Sequence, residues 1–378
     1  MFVYADNAAT TRLSETALAA MLPCLQEQYG NPSSLHAAGQ AAGGVLVRAR
    51  ETMARLLGCR PRELVFTSGG SESDNQALLS AAALGAAQGR RHIVSTAFEH
   101  HAVLHTLNRL RARGFDVTLL PVHEDGVVTA ADIAAALRPD TCLVSVMYAN
   151  NEIGTIQPVD EIGALCRARG VLFHTDAVQG FLKVPFTPAG LGVDLLSLSG
   201  HKIHAPKGIG ALYIRQGLPL KPFILGGGQE NGLRSGTEPT GQIAAFAVAC
   251  QTGKAKMAQS LVHMNELKTY TLERLHAEVP KVEEIISGDA PHILALTLPG
   301  YKSEVLVRVM GDKGVCISAG SACHRGKASH VYEVMGLTKA QRDGAFRVSF
   351  SDWSTKEEVD CFVQALKETQ EMLFPTMS

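Results

Sequence analysis

Short apolar runs alternate along the chain with longer stretches whose apolar residues recur at helical spacing. Runs at 64–67, 92–95, 116–121, 141–147, 171–175 and 193–198 are bounded by turn formers and predict buried strands. A seventh such run follows at 209–214. Between them the pattern predicts helices over 71–87, 101–113, 130–138 and 159–169. This alternation predicts an α/β fold with a seven-stranded, mostly parallel sheet covered by helices on both faces. Ahead of it, Tyr4 to Thr11 reads as an extended strip. Ser14 then caps a helix with Glu15 in its first turn, Pro23 inside and Gly30 as its stop, and a second helical pattern ends at Leu57. After Gly226-Gly-Gly228 the texture changes to a long helix over 238–278, strands near 292–298 and 345–350, and helices near 303–313 and 355–373. The expected division is a large domain over 13–258 and a smaller α+β domain built from 1–12 and 259–378.

Bulk properties narrow the function. A net charge of -1 with 19% charged residues gives no electrostatic case for a nucleic-acid or membrane-surface partner. No apolar run is long enough to span a bilayer, and Met1-Phe-Val-Tyr-Ala-Asp6 lacks the charged start and apolar core of a signal peptide. Eight cysteines are scattered through 378 residues without a CxxC pair, the usage expected of reduced thiols in a cytoplasm.

In an open α/β sheet ligands collect beyond the carboxyl ends of the strands. Five polar clusters fall there: Ser68-Gly-Gly-Ser-Glu-Ser-Asp74; Glu99, His100 and His101; Asn150-Asn-Glu152; Asp176 and Gln179; and Ser199-Gly-His-Lys202. Gly69-Gly-Ser71 at a helix start offers free N–H groups and a positive dipole end to a phosphate, although Ser71 with Asp74 also reads as an ordinary capping box. A lysine behind a buried strand is poorly placed for solvation and well placed to form an imine with a carbonyl cofactor; taken alone, Lys202 reads equally as a turn lysine. Asp176 suits either a structural acceptor or a carboxylate that keeps a cofactor ring nitrogen protonated. A further stretch, Ile317-Ser-Ala-Gly-Ser-Ala-Cys323-His-Arg-Gly-Lys327, sets a cysteine among small residues with His324, Arg325 and Lys327 beside it. Those neighbours would lower the thiol pKa, making Cys323 the nucleophile candidate and leaving the other seven cysteines as small hydrophobes.

In chain order these stretches, with Gly30-Asn-Pro-Ser-Ser, Asn150-Asn-Glu-Ile-Gly154 and Arg234-Ser-Gly-Thr237, resemble the NifS- and IscS-like cysteine desulfurases of the class V aminotransferases over nearly the whole length. The resemblance implies the fold-type I architecture, a homodimer, pyridoxal 5'-phosphate as cofactor, and conversion of L-cysteine to L-alanine with sulfur passed to an acceptor protein serving iron–sulfur, thio-cofactor or tRNA sulfur supply. It implies that Lys202 forms an imine with the cofactor and moves the α-proton. Asp176 pairs with the ring nitrogen, Gln179 and Asn151 contact the ring hydroxyl side, and His100 stacks on the ring. Gly70, Ser71, Ser199 and His201 hold the phosphate, with Thr237 reaching it from the other subunit. Arg347 clamps the substrate carboxylate near Asn31, and Cys323 receives the sulfur as a persulfide. No metal is expected. The stretch from Cys323 to Ser329-His-Val331 is shorter than in the family's first subgroup, and the C-terminal extension that subgroup uses to dock a scaffold protein is not found, so the acceptor stays open. A selenocysteine lyase or another pyridoxal-phosphate enzyme is the nearest rival reading. A non-catalytic platform would not need Lys202, Asp176 and Cys323 together.

Overall fold

The computed structural model describes residues 1–320 and 329–374; Cys323, His324, Arg325 and Lys327 lie outside the described residues. The chain begins with β1 (Val3–Tyr4), α1 (Glu15–Gln26) and α2 (Ala37–Leu57). It continues through β2 (Leu64–Thr67), α3 (Gly70–Ala87), β3 (His92–Thr96), α4 (His101–Arg111), β4 (Asp116–Leu120), α5 (Ala130–Ala136) and β5 (Thr141–Ser145). Then come α6 (Val159–Arg169), β6 (Leu172–Asp176), α7 (Pro188–Leu191), β7 (Leu195–Ser199), β8 (Gly210–Ile214) and α8 (Thr240–Glu278). The remainder comprises β9 (Glu283–Ile286), β10 (Ile293–Thr297), α9 (Ser303–Asp312), β11 (Val315–Cys316), α10 (His330–Val334), α11 (Lys339–Asp343), β12 (Ala345–Ser349) and α12 (Lys356–Met372).

Seven strands form the large sheet in the order β2-β8-β7-β6-β5-β3-β4. The pairs β7–β6, β6–β5, β5–β3 and β3–β4 are parallel, and β8 runs antiparallel to both its neighbours. The expected mostly parallel α/β architecture is what the chain adopts. Its apolar runs are continuous rather than alternating because both faces of the sheet are covered. In each central strand successive residues enter opposite cores: Ile93, Leu143 and Leu195 pack in one cluster, Val94, Val144 and Leu196 in the other. Each of these six side chains is fully buried, a contribution of about 1.5–3 kcal/mol apiece.

A third cluster lies under the chain's later elements. Leu294, Leu296, Phe346, Val348, Phe362 and Leu366 pack there with Val3 and Ala5 of the N-terminal strip. The strip is stitched in by parallel pairing of Val3 with Val315 and by a bridge from Asp6 to Ser349. Helix α8, 39 residues without a break, reaches from one cluster to another: Ile243, Phe246 and Cys250 are buried in the first, Met264, Leu267 and Leu275 beside the third. Most elements lie within a residue or two of the expected ranges. The α1 helix ends at Gln26 rather than at Gly30, while Ser14 does cap it by accepting from the Ala17 N–H. Strand β6 extends one residue further than the pattern indicates, so Asp176 is its last residue. Among the described residues no helix is long and apolar enough to cross a membrane.

Candidate active site

The carboxyl ends of β6 and β7, the N-terminus of α3 and the N-terminal strip enclose a cavity of about 540 Å³. Glycine sets the geometry at its α3 end. Gly69, the N-cap residue, has φ +151° and ψ -178°, a conformation that side chains disfavour, and no side chain caps the helix. A β-carbon on Gly70 would stand 2.7 Å from Val178 Cγ2, so the helix start can sit this close only without one. The alternative capping box between Ser71 and Asp74 does not form: Asp74 is 1% exposed and turned inward. Ser199 Oγ lines the same end, buried and with no hydrogen-bond partner among the described residues. An orphaned hydroxyl beside uncapped helix N–H groups is an incomplete site for an anion such as a phosphate.

Lys202 follows β7 in a single turn of 3-10 helix, and its Nζ donates to the carbonyls of Ala8 (2.5 Å) and Ala9 (2.7 Å) in the strip. Asp176 accepts the Val178 N–H at 2.9 Å. Burial pushes its carboxyl up to about 6, opposed by that N–H and by the charge of Lys202. His100 caps α4 through Nδ1, which accepts the Ala102 N–H at 3.2 Å. Burial, then the charge on Lys202, pushes its imidazole down to about 4, leaving a neutral ring at physiological pH. His201 is likewise lowered to about 4 by burial and by Lys202, and its Nδ1 lies 3.2 Å from Thr10 Oγ1. Gln179 ties two distant segments together, donating to Ala8 O at 2.9 Å and sharing a 3.0 Å hydrogen bond with His292.

Arg347 enters from β12. It is 1% exposed, donates from Nη2 to Asp6 at 2.8 Å and from Nη1 to the Asn151 carbonyl at 2.5 Å, and keeps a buried Nε with no partner among the described residues. Asn151 lines the cavity with it. The donor set could thus hold a phosphate at the α3 end, a protonated ring nitrogen against Asp176, a carbonyl near Lys202 and a substrate carboxylate on Arg347. That is the pattern of groups pyridoxal 5'-phosphate and an amino acid present.

Asn31 and Thr237, both exposed, do not line the cavity of a single chain; Asn31 Oδ1 accepts the Ser33 N–H instead. Sequence reasoning gave no site role to Thr10 or Lys207, and gave Asp74 only as a member of a polar cluster and a cap partner, yet all three line it. For Asp74 a signal existed, because positions 74, 77, 78 and 81 fall on one helical face and Ala77, Leu78 and Ala81 are all buried.

Glu99 stands just behind His100, fully buried, with Oε1 accepting from Thr96 Oγ1 and the Met147 N–H, both at 2.8 Å. Burial pushes its carboxyl up to about 8. A carboxyl raised in the folded state contributes stability that is complete below its unfolded pKa, about 4.3, and is lost as pH climbs through the folded value. Thermal unfolding of the cofactor-free protein should therefore show stability declining between these two points, and Glu99→Gln should make that decline shallower. An unchanged slope in the variant would mean that Glu99 ionises normally.

Known proteins resemble this chain along nearly its whole length. The aminotransferase class-V family matches residues 3–362. A cysteine desulfurase from Nostoc sp. is 39% identical over 377 residues, covering 98% of this chain and 93% of the relative. Among solved structures, a NifS-like protein superposes with a TM-score of 0.93 at 37% identity, covering 99% of this chain and all of that one. A structure described as SspA in complex with cysteine gives a TM-score of 0.81 at 34% identity, covering 93% of this chain and 100% of the other. The chain belongs to the aminotransferase class-V family and, within it, to the cysteine desulfurases.

Proposed function

We propose that this protein takes the sulfur atom of L-cysteine onto Cys323 and releases L-alanine, with pyridoxal 5'-phosphate as cofactor. The observation that carries the reading is the meeting of Lys202, Asp176 and Arg347 around one cavity although Arg347 belongs to a distant part of the chain. When bound, the cofactor supplies an electron-poor ring that accepts the electron pair released at the substrate α-carbon. Gly70, Ser71, Ser199 and His201 hold its phosphate, with Thr237 reaching in from a second copy of the chain. Asp176 holds the proton on the ring nitrogen, Gln179 and Asn151 face the ring hydroxyl, and neutral His100 covers the ring without competing for that proton. Arg347 orients the substrate by its carboxylate, with Asn31 near. Lys202 Nζ takes the proton from the α-carbon and returns protons as alanine leaves.

The Cys323 thiolate attacks the substrate sulfur. The Cβ–S bond breaks, an S–S bond forms, and the β-carbon gains a proton, so sulfur is oxidised as carbon is reduced and no outside oxidant is needed. The same reading assigns residues 13–258 to the cofactor-binding domain, and 1–12 with 259–378 to a smaller one that carries both Arg347 and Cys323. It makes the protein a homodimer, to which the exposed apolar side chains of Leu22, Leu25, Tyr29 and Leu35 on and beside α1 lend support. It also assigns the protein to the cytoplasm, in keeping with seven free thiols among the described residues. The sulfur then passes to an acceptor protein.

One turnover with L-cysteine tests the proposal. Mass spectrometry should find one persulfide, on the peptide containing Cys323, together with one alanine per site. Alanine without any persulfide, or a persulfide on another cysteine, would remove Cys323 from the reaction.

A further inference from the structure

A second carboxyl group stands beside Asp176, and the reaction as proposed gives it no task. A carboxylate oxygen of Asp74, one of Asp176 and a ring nitrogen of His100 all lie within 4.8 Å of one another. Asp74 is 1% exposed, and its Oδ1 is buried with no hydrogen-bond partner among the described residues.

Among the described residues the surroundings supply Asp74 with no cation. His174 Nε2 is the nearest candidate, 3.6 Å from Oδ1. Both nitrogens of that ring are already engaged, Nδ1 with Ser145 Oγ at 2.9 Å and Nε2 with Ser197 Oγ at 3.0 Å. Burial lowers His174 to about 3, so the ring is neutral. Ser197 gives Asp74 a hydroxyl, Glu99 adds another acidic group, and His100 is neutral. Asp176 is placed differently: it accepts the Val178 N–H and feels the charge of Lys202. Two carboxylates this close in a dry interior cannot both ionise, and the member with a donor and a cation is the one that does. Burial and the neighbouring Asp176 both push Asp74 upward.

We propose that Asp74 keeps the proton of the Asp74–Asp176 pair, so that Asp176 stands as a single anion of defined orientation toward the cofactor ring nitrogen. Asp74 is a positioning residue that acts through Asp176. The proposal rests on the cofactor reading given above. Its chemical consequence is that the pair carries one negative charge, enough to balance one protonated ring nitrogen with none in excess.

The test uses infrared spectroscopy of the cofactor-free protein at neutral pH, with and without isotope-labelled aspartate. A protonated carboxyl band that moves with the aspartate label is expected in the wild type, and is expected to vanish in Asp74→Asn. The label separates this band from that of Glu99, and its persistence in Asp176→Asn, a second variant, assigns it to Asp74 even where Asp74→Asn disturbs folding. Cofactor titration supplies the second arm. Asp74→Asn, neutral and of the same shape, should bind pyridoxal 5'-phosphate within about threefold of wild type and leave the pH dependence of the bound cofactor's absorbance in place. No aspartate-labelled band, or a loss of affinity of about tenfold or more in Asp74→Asn, would overturn the proposal by showing that Asp74 acts as an anion. Wild-type protein that binds no pyridoxal 5'-phosphate would sink the cofactor reading instead, and the infrared result would still report on Asp74.

Discussion

Replacing Lys202 with alanine is expected to lower turnover of L-cysteine by about 10⁴-fold or more while leaving the protein folded. The expectation combines two losses at one atom. In the proposed reaction Nζ is the amine that meets the cofactor carbonyl and also the base at the substrate α-carbon. Structurally the residue is less demanding. Among its contacts Nζ donates to the Ala8 and Ala9 carbonyls at the cavity wall, where solvent can replace these two bonds at a cost of about 2 kcal/mol. Borohydride treatment gives a readout that does not depend on rate. Wild-type protein loaded with cofactor should retain a reduced adduct on Lys202, and the variant none. An alanine variant that turns over within tenfold of wild type would mean that another amine performs the chemistry.

The second large effect is expected at Arg347. Arg347→Gln should raise the KM for L-cysteine by about 10²-fold or more, because a charged, forked donor to a carboxylate contributes about 2–5 kcal/mol in a desolvated site. Maximal turnover should fall less, since the proton-moving amine is untouched. The same substitution has a second cost. Asp6 pairs with Arg347 at 2.8 Å and keeps 21% exposure, so removing the guanidinium leaves a partly buried carboxylate unmatched, at about 2 kcal/mol of stability. Arg347→Lys separates the two effects: it restores a charge near Asp6 but not the planar fork. Kinetics that match wild type in Arg347→Gln would mean that the substrate carboxylate is held elsewhere.

The parallel sheet was legible because both of its faces are dry. Strands such as 141–145 and 195–199 are buried at every position and carry only apolar and small hydroxyl residues, and such runs stand out between helices of regular period. The site was legible for a related reason: polar residues directly after those runs can only gather at the sheet's carboxyl edge. What escaped the pattern was short or joined at long range. Strand β9, Glu283–Ile286, lies at a sheet edge with one exposed and three half-buried residues, so it carries no apolar signature. Strands β1 and β11 pair over only two residues each. The link between Gln179 and His292 joins residues 113 apart, which no local spacing encodes. Asp74 was misread because serine three residues before an aspartate at a helix start is a familiar cap. Only the burial of Ala77, Leu78 and Ala81 on the same face shows that the carboxyl must turn inward.

The N-terminal strip also governs when the protein can become competent. The Ala8 N–H donates to Ser349 Oγ, 341 residues later, while the Ala8 and Ala9 carbonyls hold Lys202. On a ribosome Ala8 and Ala9 emerge long before Ser349. At about 5–20 residues per second the strip waits roughly 20–70 s for Ser349 to be made. The seven-stranded sheet, complete by Ile214, can assemble during that interval. In a nascent chain stalled short of Ser349 the strip that holds Lys202 lacks this anchor, so cofactor binding is expected only once Ser349 has been made.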